Sequence, residues 1–383
     1  MYLIVGAGIS GSVLANLIAD RLNEEVLIID RREHIAGNCY DCKIEDITVH
    51  KYGPHIFHTN NKEVWDYLSN FTKWRYFYLK PNVMIEGNRV SLPFTLKTLR
   101  ELFSSSMAER IENKLITKYG YGVKVPILDF QKSKDKDLNF IGKFVYENVF
   151  KNYTIKQWGL KPEEIDASVT ARVPIYISND ARYFQDKYQA IPQEGYTKLM
   201  ENILNHKNIT VRLNTDYKDL TNTKEFKAIF YTGAIDEYFN YQYGELPYRS
   251  LKFDILTIDK EYYQKSVVTN YPNDYDFTRI TEHKYFLDEK SNKTIISVEY
   301  PQEFSLGKNE RYYPINNEKN DKLYNKYLRE SKKLTNVYFF GRLGDYKYYN
   351  MDLAVERVFE LFKKLKNYLL QVNKIKKQLK IDK

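Results

Sequence analysis

The first apolar positions form a short block, "YLIV" at 2–5, and the second lie at helical spacing: Val13, Leu14, Leu17, Ile18 and Leu22 within residues 10–22. A third apolar run, "EVLIID" at 25–30, ends on an acid. This order predicts a buried strand, a helix and a second buried strand. Residues 95–165 follow a mostly helical pattern, led by "LKTLRELFSSSMAERIENKLITKYG". Between 190 and 240 the chain returns to strand and helix, with "EGYTKLMENILN" as a helix and "ITVRL" and "KAIFYTG" as strands. Four segments rich in β-branched and aromatic residues, "YRSLKFDILTID", "SVVTNYP", "YFLDE" and "TIISVEYP", predict an antiparallel sheet over 245–300. A last buried strand is expected in "NVYFFGR" at 336–342, followed by a helix from about Met351.

The first strand and helix are joined by Gly6, Gly8 and Gly11, a G-x-G-x-x-G spacing, and Asp30 stands nineteen residues past the last glycine. In that context Gly6 permits a tight turn, Gly8 lets backbone approach a pyrophosphate, and Gly11 lets helix and strand pack closely. The helix N-terminus offers free N–H groups and a positive dipole end to the anion. The acid is placed for a ribose. After it comes "RREHIAGNCY", with an arginine at once and a glycine soon after, as at the start of FAD-dependent folds. The successive βα repeats of a classical NAD domain are not evident.

Composition narrows the class. The chain has 383 residues, enough for two or three domains, with 43% hydrophobic and 28% charged residues. No apolar run approaches the roughly 20 residues of a membrane span, and "YLIV" lacks the basic leader and cleavage site of a signal peptide. A cytoplasmic location is the expectation. Net charge is +9, with Lys and Arg spread along the chain rather than gathered in a stripe, which argues against nucleic acid. The dense basic tail at 363–383 is expected to be a solvated helix end. Cys39 and Cys42 in "GNCYDCK" have C-x-x-C spacing, but two thiols cannot complete a zinc site and the stretch reads as a loop, so reduced thiols and no metal are expected.

Beyond the glycine loop, motifs in order along nearly the whole chain carry a specific likeness. They are "HKYGPHIFHTNNKEVW" (50–65), "YTIKQWG" (153–159), "RVPIYISNDARYFQDKYQAIPQEGYTKL" (172–199), "YTGAIDEYF" (231–239), "YRSLKF" (248–253), "TRITEHK" (278–284), "EYP" (299–301), "YYPIN" (312–316) and "GRLGDYKYYNMD" (341–352). The chain resembles the bacterial UDP-galactopyranose mutase family. The resemblance implies an α/β fold: a Rossmann-like FAD-binding domain with a helical insert and an antiparallel β-sheet domain. The interleaved segments expected are 1–78, 190–244 and 317–383 for FAD, 95–165 for the helices and a mobile substrate loop, and 79–94, 166–189 and 245–316 for the sheet. It also implies a homodimer that interconverts UDP-galactopyranose and UDP-galactofuranose. There is no net redox change, yet FAD must be reduced so that its N5 attacks the anomeric carbon and displaces UDP.

The resemblance also assigns residues. Arg172 and Arg279 match the diphosphate-binding arginines, where guanidinium charge suits a departing UDP. Tyr183, Tyr313 and Tyr348 match tyrosines at the diphosphate, Tyr153 the residue stacking on uracil, Trp158 an aromatic closing over the sugar, and Asn270 a polar contact to the nucleotide; Arg249 joins this substrate set. His58 matches a residue beside the isoalloxazine and sugar, and a neutral imidazole there could relay a proton. The cofactor set comprises Gly6, Gly8, Gly11, Asp30, Arg31, Asn38, His55, His58, Arg342, Asn350 and Met351. Arg172, Arg279, His58 and Tyr348 form the expected catalytic group. His55 and His58, three apart, need not share one side of the chain.

Three positions depart from the family pattern: Ala36 where glycine is usual, Tyr176 where arginine is expected, and Asn350 where many relatives carry aspartate. Asn350 still suits a helix cap. Three other readings stay open: a mutase for an N-acetylated UDP-sugar, a flavin oxidase or hydroxylase on the same fold, and a non-catalytic nucleotide-sugar binder.

Overall fold

The computed structural model describes residues 1–159 and 174–381, with side chains as far as 371 along the last helix. Arg172 and the rest of 160–173 lie outside the described residues.

A five-stranded parallel sheet organises the first layer, in the order Ile209–Arg212, Val26–Ile29, Tyr2–Val5, Ile229–Tyr231, Val337–Phe339. The strands of "YLIV", "VLII" and "IFY" are buried at every position but Val5, as expected of strands covered on both faces. The helix Ile9–Arg21 is buried at every position from Ser10 to Ala19. It packs against Tyr196–Leu204 and the long helix Met351–Ile381, so it carries apolar residues all round rather than on one stripe.

The second layer is a seven-stranded sheet: Tyr313–Pro314, Tyr248–Ile258, Thr294–Glu303, Arg279–Glu282, Val268–Asn270, Asn82–Ile85, Asn88–Ser91. Its pairs are antiparallel except Val268–Asn270 with Asn82–Ile85, which is parallel. The strand expected at "YFLDE" (285–289) is instead a turn that follows directly on the 3-10 turn His283–Tyr285, and the preceding Arg279–Glu282 takes its place in the sheet. The cause is local burial. Phe286 is fully buried and stacks on His50 at 4.4 Å, and the buried Lys284 ammonium donates to the carbonyls of Glu261, Ser291 and Lys293, wrapping the chain round itself.

A helical block spans Leu96–Leu102, Ser105–Tyr119, Ile127–Gln131, Lys136–Val145 and Asn152–Trp158, with a π-helical stretch at Tyr146–Lys151. Its apolar face (Ala108, Ile111, Leu115, Ile141, Val145) shares a core with Val83, Ile85 and Phe94 next to the seven-stranded sheet. The stretch 174–189, expected in that sheet, adds no strand to it. Pro174–Tyr176 pairs with Lys124–Pro126 of the helical block, and Tyr188–Pro192 pairs with Phe57–Thr59 and Trp74–Tyr76. Nor is "GNCYDCK" simply a loop: Gly37–Cys39 is a 3-10 turn and Asp41–Ile44 a strand paired with Ile47–His50. Both thiols are free. Among the described residues no helix is long and apolar enough to cross a membrane.

Candidate active site

The glycine loop lies where parallel strands end and a buried helix begins. Gly6 has φ +103°, and a Cβ there would stand 2.0 Å from the Thr232 hydroxyl; at Gly11 it would stand 1.9 Å from the Gly6 carbonyl. A Cβ on Gly8 would meet nothing closer than Gly37 Cα at 3.7 Å, an ordinary contact, so that glycine relieves no clash within the chain. Asp30 Oδ2 accepts from the Ala7 N–H at 2.8 Å and Oδ1 from the Arg32 N–H at 2.9 Å. The acid therefore ties the end of the second strand to the loop while facing the cleft.

That cleft is lined by Gly6, Gly8, Gly11, Asp30, Arg31, Asn38, His55, Arg342, Asn350 and Met351. Ten positions expected to hold a cofactor are thus brought together, across more than 300 residues of chain. The lining also includes Thr232, Glu237, Glu310, Arg311 and Gly341, none singled out from sequence. Arg31 and Arg311 both pair with Glu237, and Arg32 pairs with Glu310 while donating to Asn38 Oδ1 at 3.0 Å. Ala36 is buried in the left-handed region, φ +71°, bridged to Gly8. Non-glycine residues adopt that region at a cost of about 1–2 kcal/mol. Asn350 is exposed and its carbonyl accepts from Ala354 N–H at 3.0 Å, starting the last helix.

His58 is the expected cofactor residue that does not line this cleft. Its Nδ1 meets Asp186 Oδ2 at 2.8 Å and its ring stacks on Phe184 at 3.7 Å. As the central residue of Phe57–Thr59 it faces the opposite side of its strand from its buried neighbours, with His55 three residues back turned into the cleft. Burial pushes the Asp352 carboxyl, in the charge field of His58, above its usual range.

A second cluster adjoins the cleft. Arg279 donates from Nε and Nη2 to Glu299 Oε2, both at 2.7 Å, while Thr278 Oγ1 donates to Glu299 Oε1. The Glu299 side chain is 1% exposed and that of Arg279 23%. Burial opposes the Arg279 charge, but Glu299, Tyr153 and Tyr313 outweigh it and the guanidinium stays firmly protonated. Burial, against the pull of Arg279, raises the Tyr153 hydroxyl above its usual value, with Glu299, Tyr183 and Tyr348 adding to the rise. Tyr313 and Tyr348 lie 5.3 Å apart, and Trp158 lies 6.0 and 6.5 Å from them. Asn270 is the cross-strand partner of Arg279.

Arg249, expected at the substrate, is 6% exposed and donates to the carbonyls of Gln157 at 3.0 Å and Lys156 at 3.1 Å. Its guanidinium serves the unpaired C-terminal carbonyls of the helix Asn152–Trp158, which need donors. Glu299 was not assigned from sequence, although it stands in the "EYP" motif; a lone glutamate on a strand carries no sign that an arginine lies across from it.

A Rossmann-like cleft beside an arginine and tyrosine cluster defines the class, an enzyme built on a Rossmann-like nucleotide-binding domain. Residues 4–71 match the NAD(P)-binding Rossmann-like domain, and residues 148–348 match the UDP-galactopyranose mutase family. The chain is 37% identical to the dTDP-fucopyranose mutase of Escherichia coli, over 94% of this chain and 96% of that one. It is 36% identical to the UDP-galactopyranose mutase of Mycoplasma genitalium, over 92% and 91%. The crystal structure of a reduced UDP-galactopyranose mutase shares the fold, with a TM-score of 0.70 at 14% identity, covering 96% of this chain and 94% of that one. The chain belongs to the UDP-galactopyranose mutase family and is an isomerase.

Proposed function

We propose that this protein interconverts UDP-galactopyranose and UDP-galactofuranose with reduced FAD in the glycine-lined cleft. The observation that carries the reading is the position of Arg342. It lines the cleft, and its guanidinium carbon lies 5.2 Å from the Tyr348 ring and 5.9 Å from the Tyr313 ring. The redox end of a bound dinucleotide and the anion cluster would therefore share one wall.

The residues present fit FAD. Gly8 leaves backbone open to the pyrophosphate, Asp30 faces the cleft for a ribose, and Arg31, Asn38, His55, Arg342, Asn350 and Met351 complete the walls. Bound and reduced, FAD supplies an electron-rich N5 for chemistry at the anomeric carbon without net oxidation. Arg279, held from behind by Glu299, presents its remaining donors to the diphosphate. Its fixed charge stabilises UDP both attached and departed. Tyr183, Tyr313 and Tyr348 supply hydroxyls that bind phosphate oxygens without adding charge. Tyr153 offers a ring for the base, Trp158 an apolar cover for the sugar and Asn270 a polar contact to the nucleotide. Arg172, outside the described residues, is proposed as the second diphosphate arginine. His58, paired with Asp186, is proposed as a support of the sugar side.

The test is product analysis with UDP-galactopyranose on the FAD-loaded protein, with and without dithionite. Furanose product under reducing conditions alone is expected. Equal turnover without reductant would remove the nucleophilic role of the flavin. Because the E. coli relative is similar over nearly its whole length, dTDP-fucopyranose is the second substrate to assay, then the N-acetylated UDP-sugar.

A further inference from the structure

The helix Asn152–Trp158 carries Tyr153 and Trp158, while Asn270 and Arg279 sit on neighbouring strands joined by the loop 271–278. One side chain ties these two walls together. Lys156 Nζ donates to the carbonyls of Tyr271 at 2.5 Å, Tyr275 at 3.0 Å and Phe277 at 3.0 Å. An ammonium has three donors and no acceptor, and here it meets three carbonyl oxygens. Asn152 adds a link one turn back, from Nδ2 to Asn273 Oδ1 at 2.7 Å. The loop is stiff in itself, with the rings of Tyr271, Tyr275 and Phe277 within 4.8–5.1 Å of one another. Its Asp274 and Asp276 attract the cation, which burial disfavours.

We infer that Lys156 is a positioning residue which sets the base-stacking helix against the Arg279 strand, so that one nucleoside diphosphate spans both. This rests on the proposed reading of the site. The lysine gives all three of its donors to backbone carbonyls of the loop. It fixes the distance between a group that holds the base and a group that holds the phosphates, and small errors in such a distance are costly.

The consequence is selective. A ligand that engages both walls loses affinity when the clip is cut, whereas one that engages Arg279 alone does not. On the FAD-loaded protein, Lys156→Met is expected to weaken UDP about tenfold by calorimetry, leave inorganic pyrophosphate within about twofold, and raise KM more than it lowers kcat. Lys156→Arg, which keeps several donors, should recover most of the UDP affinity. If Lys156→Met does not accumulate folded, Asn273→Ala cuts the second link and is expected to weaken UDP about threefold by the same measurement. Equal losses for UDP and pyrophosphate would show general damage and overturn the inference, as would unchanged UDP affinity in both variants. Absence of UDP binding by the unaltered protein would instead sink the mutase reading, and the inference with it.

Discussion

Gly8 and Gly11 are equal members of the motif and unequal in what a methyl group would meet. Gly8 has ordinary extended angles, φ −76° and ψ −177°, and a methyl on it would meet only Gly37 Cα, at an ordinary 3.7 Å. At Gly11 the methyl would strike the Gly6 carbonyl at 1.9 Å. Gly8→Ala is therefore expected to fold with a melting temperature close to wild type and to lose FAD, because the methyl would occupy the place proposed for the pyrophosphate. Gly11→Ala is expected to lose both. Flavin content after gel filtration, with melting of the flavin-free proteins, separates the two; full FAD retention by Gly8→Ala would place the pyrophosphate elsewhere. At this scale the glycines and Asp30 were legible because backbone constraints act over a few residues. Arg249 was not: the same guanidinium binds an anion or a set of helix carbonyls, and only burial beside Lys156 and Gln157 decides which.

Elements show the same limit at longer range. The helix Tyr196–Leu204 has no side-chain cap of its own, since Gly195 precedes it. Asp41, on a strand 155 residues away, supplies one: its carboxylate accepts from the N–H of Tyr196 at 2.6 Å and of Thr197 at 2.9 Å. Losing bonds to a buried charge costs about 1.5–3 kcal/mol each, so Asp41→Ala is expected to destabilise by about 3 kcal/mol in denaturant unfolding. Asp41→Asn, with one acceptor left, should fall between. An unchanged midpoint in Asp41→Ala would show that the cap contributes nothing. The hydrophobic period predicted this helix, whereas its cap is a tertiary fact. The "YFLDE" segment failed as a strand for a related reason, since the burial of Phe286 and Lys284 overrides a β-rich composition.

At the scale of the whole molecule, His50 and His283 are buried and linked by a hydrogen bond between distant segments. His50 Nδ1 accepts from His55 N–H at 3.1 Å, and His283 Nδ1 accepts from His50 N–H at 3.2 Å. A proton on either Nδ1 would break this chain, and burial pushes His50 down to about 3 and His283 well below its usual value. Their folded pKa values lie below the unfolded value near 6.5, so the unfolded chain binds more protons as pH falls. The stability they contribute is present above pH 6.5 and lost between there and about pH 3, at up to about 1.4 kcal/mol per pH unit for each histidine. Melting temperature is expected to drop across that window. His50→Asn, which keeps an acceptor near Nδ1, should show a shallower dependence from a lower starting point; an identical slope would acquit His50.

The chain's own pattern determined the strand–glycine loop–helix–strand start, the acid that follows it, the helical insert and most of the later strands. Each of these depends on neighbours within a turn, a strand or one βα unit. The motif spacing along the chain likewise pointed to the family. Only the tertiary structure decided that His58 faces Asp186 rather than the cleft, that Glu299 stands behind Arg279, and that Lys156 joins the two walls of the substrate cluster. Those pairings span from about 20 to more than 120 residues, and a side chain's partner across such distances is set by how sheets and helices stack, which local sequence does not encode.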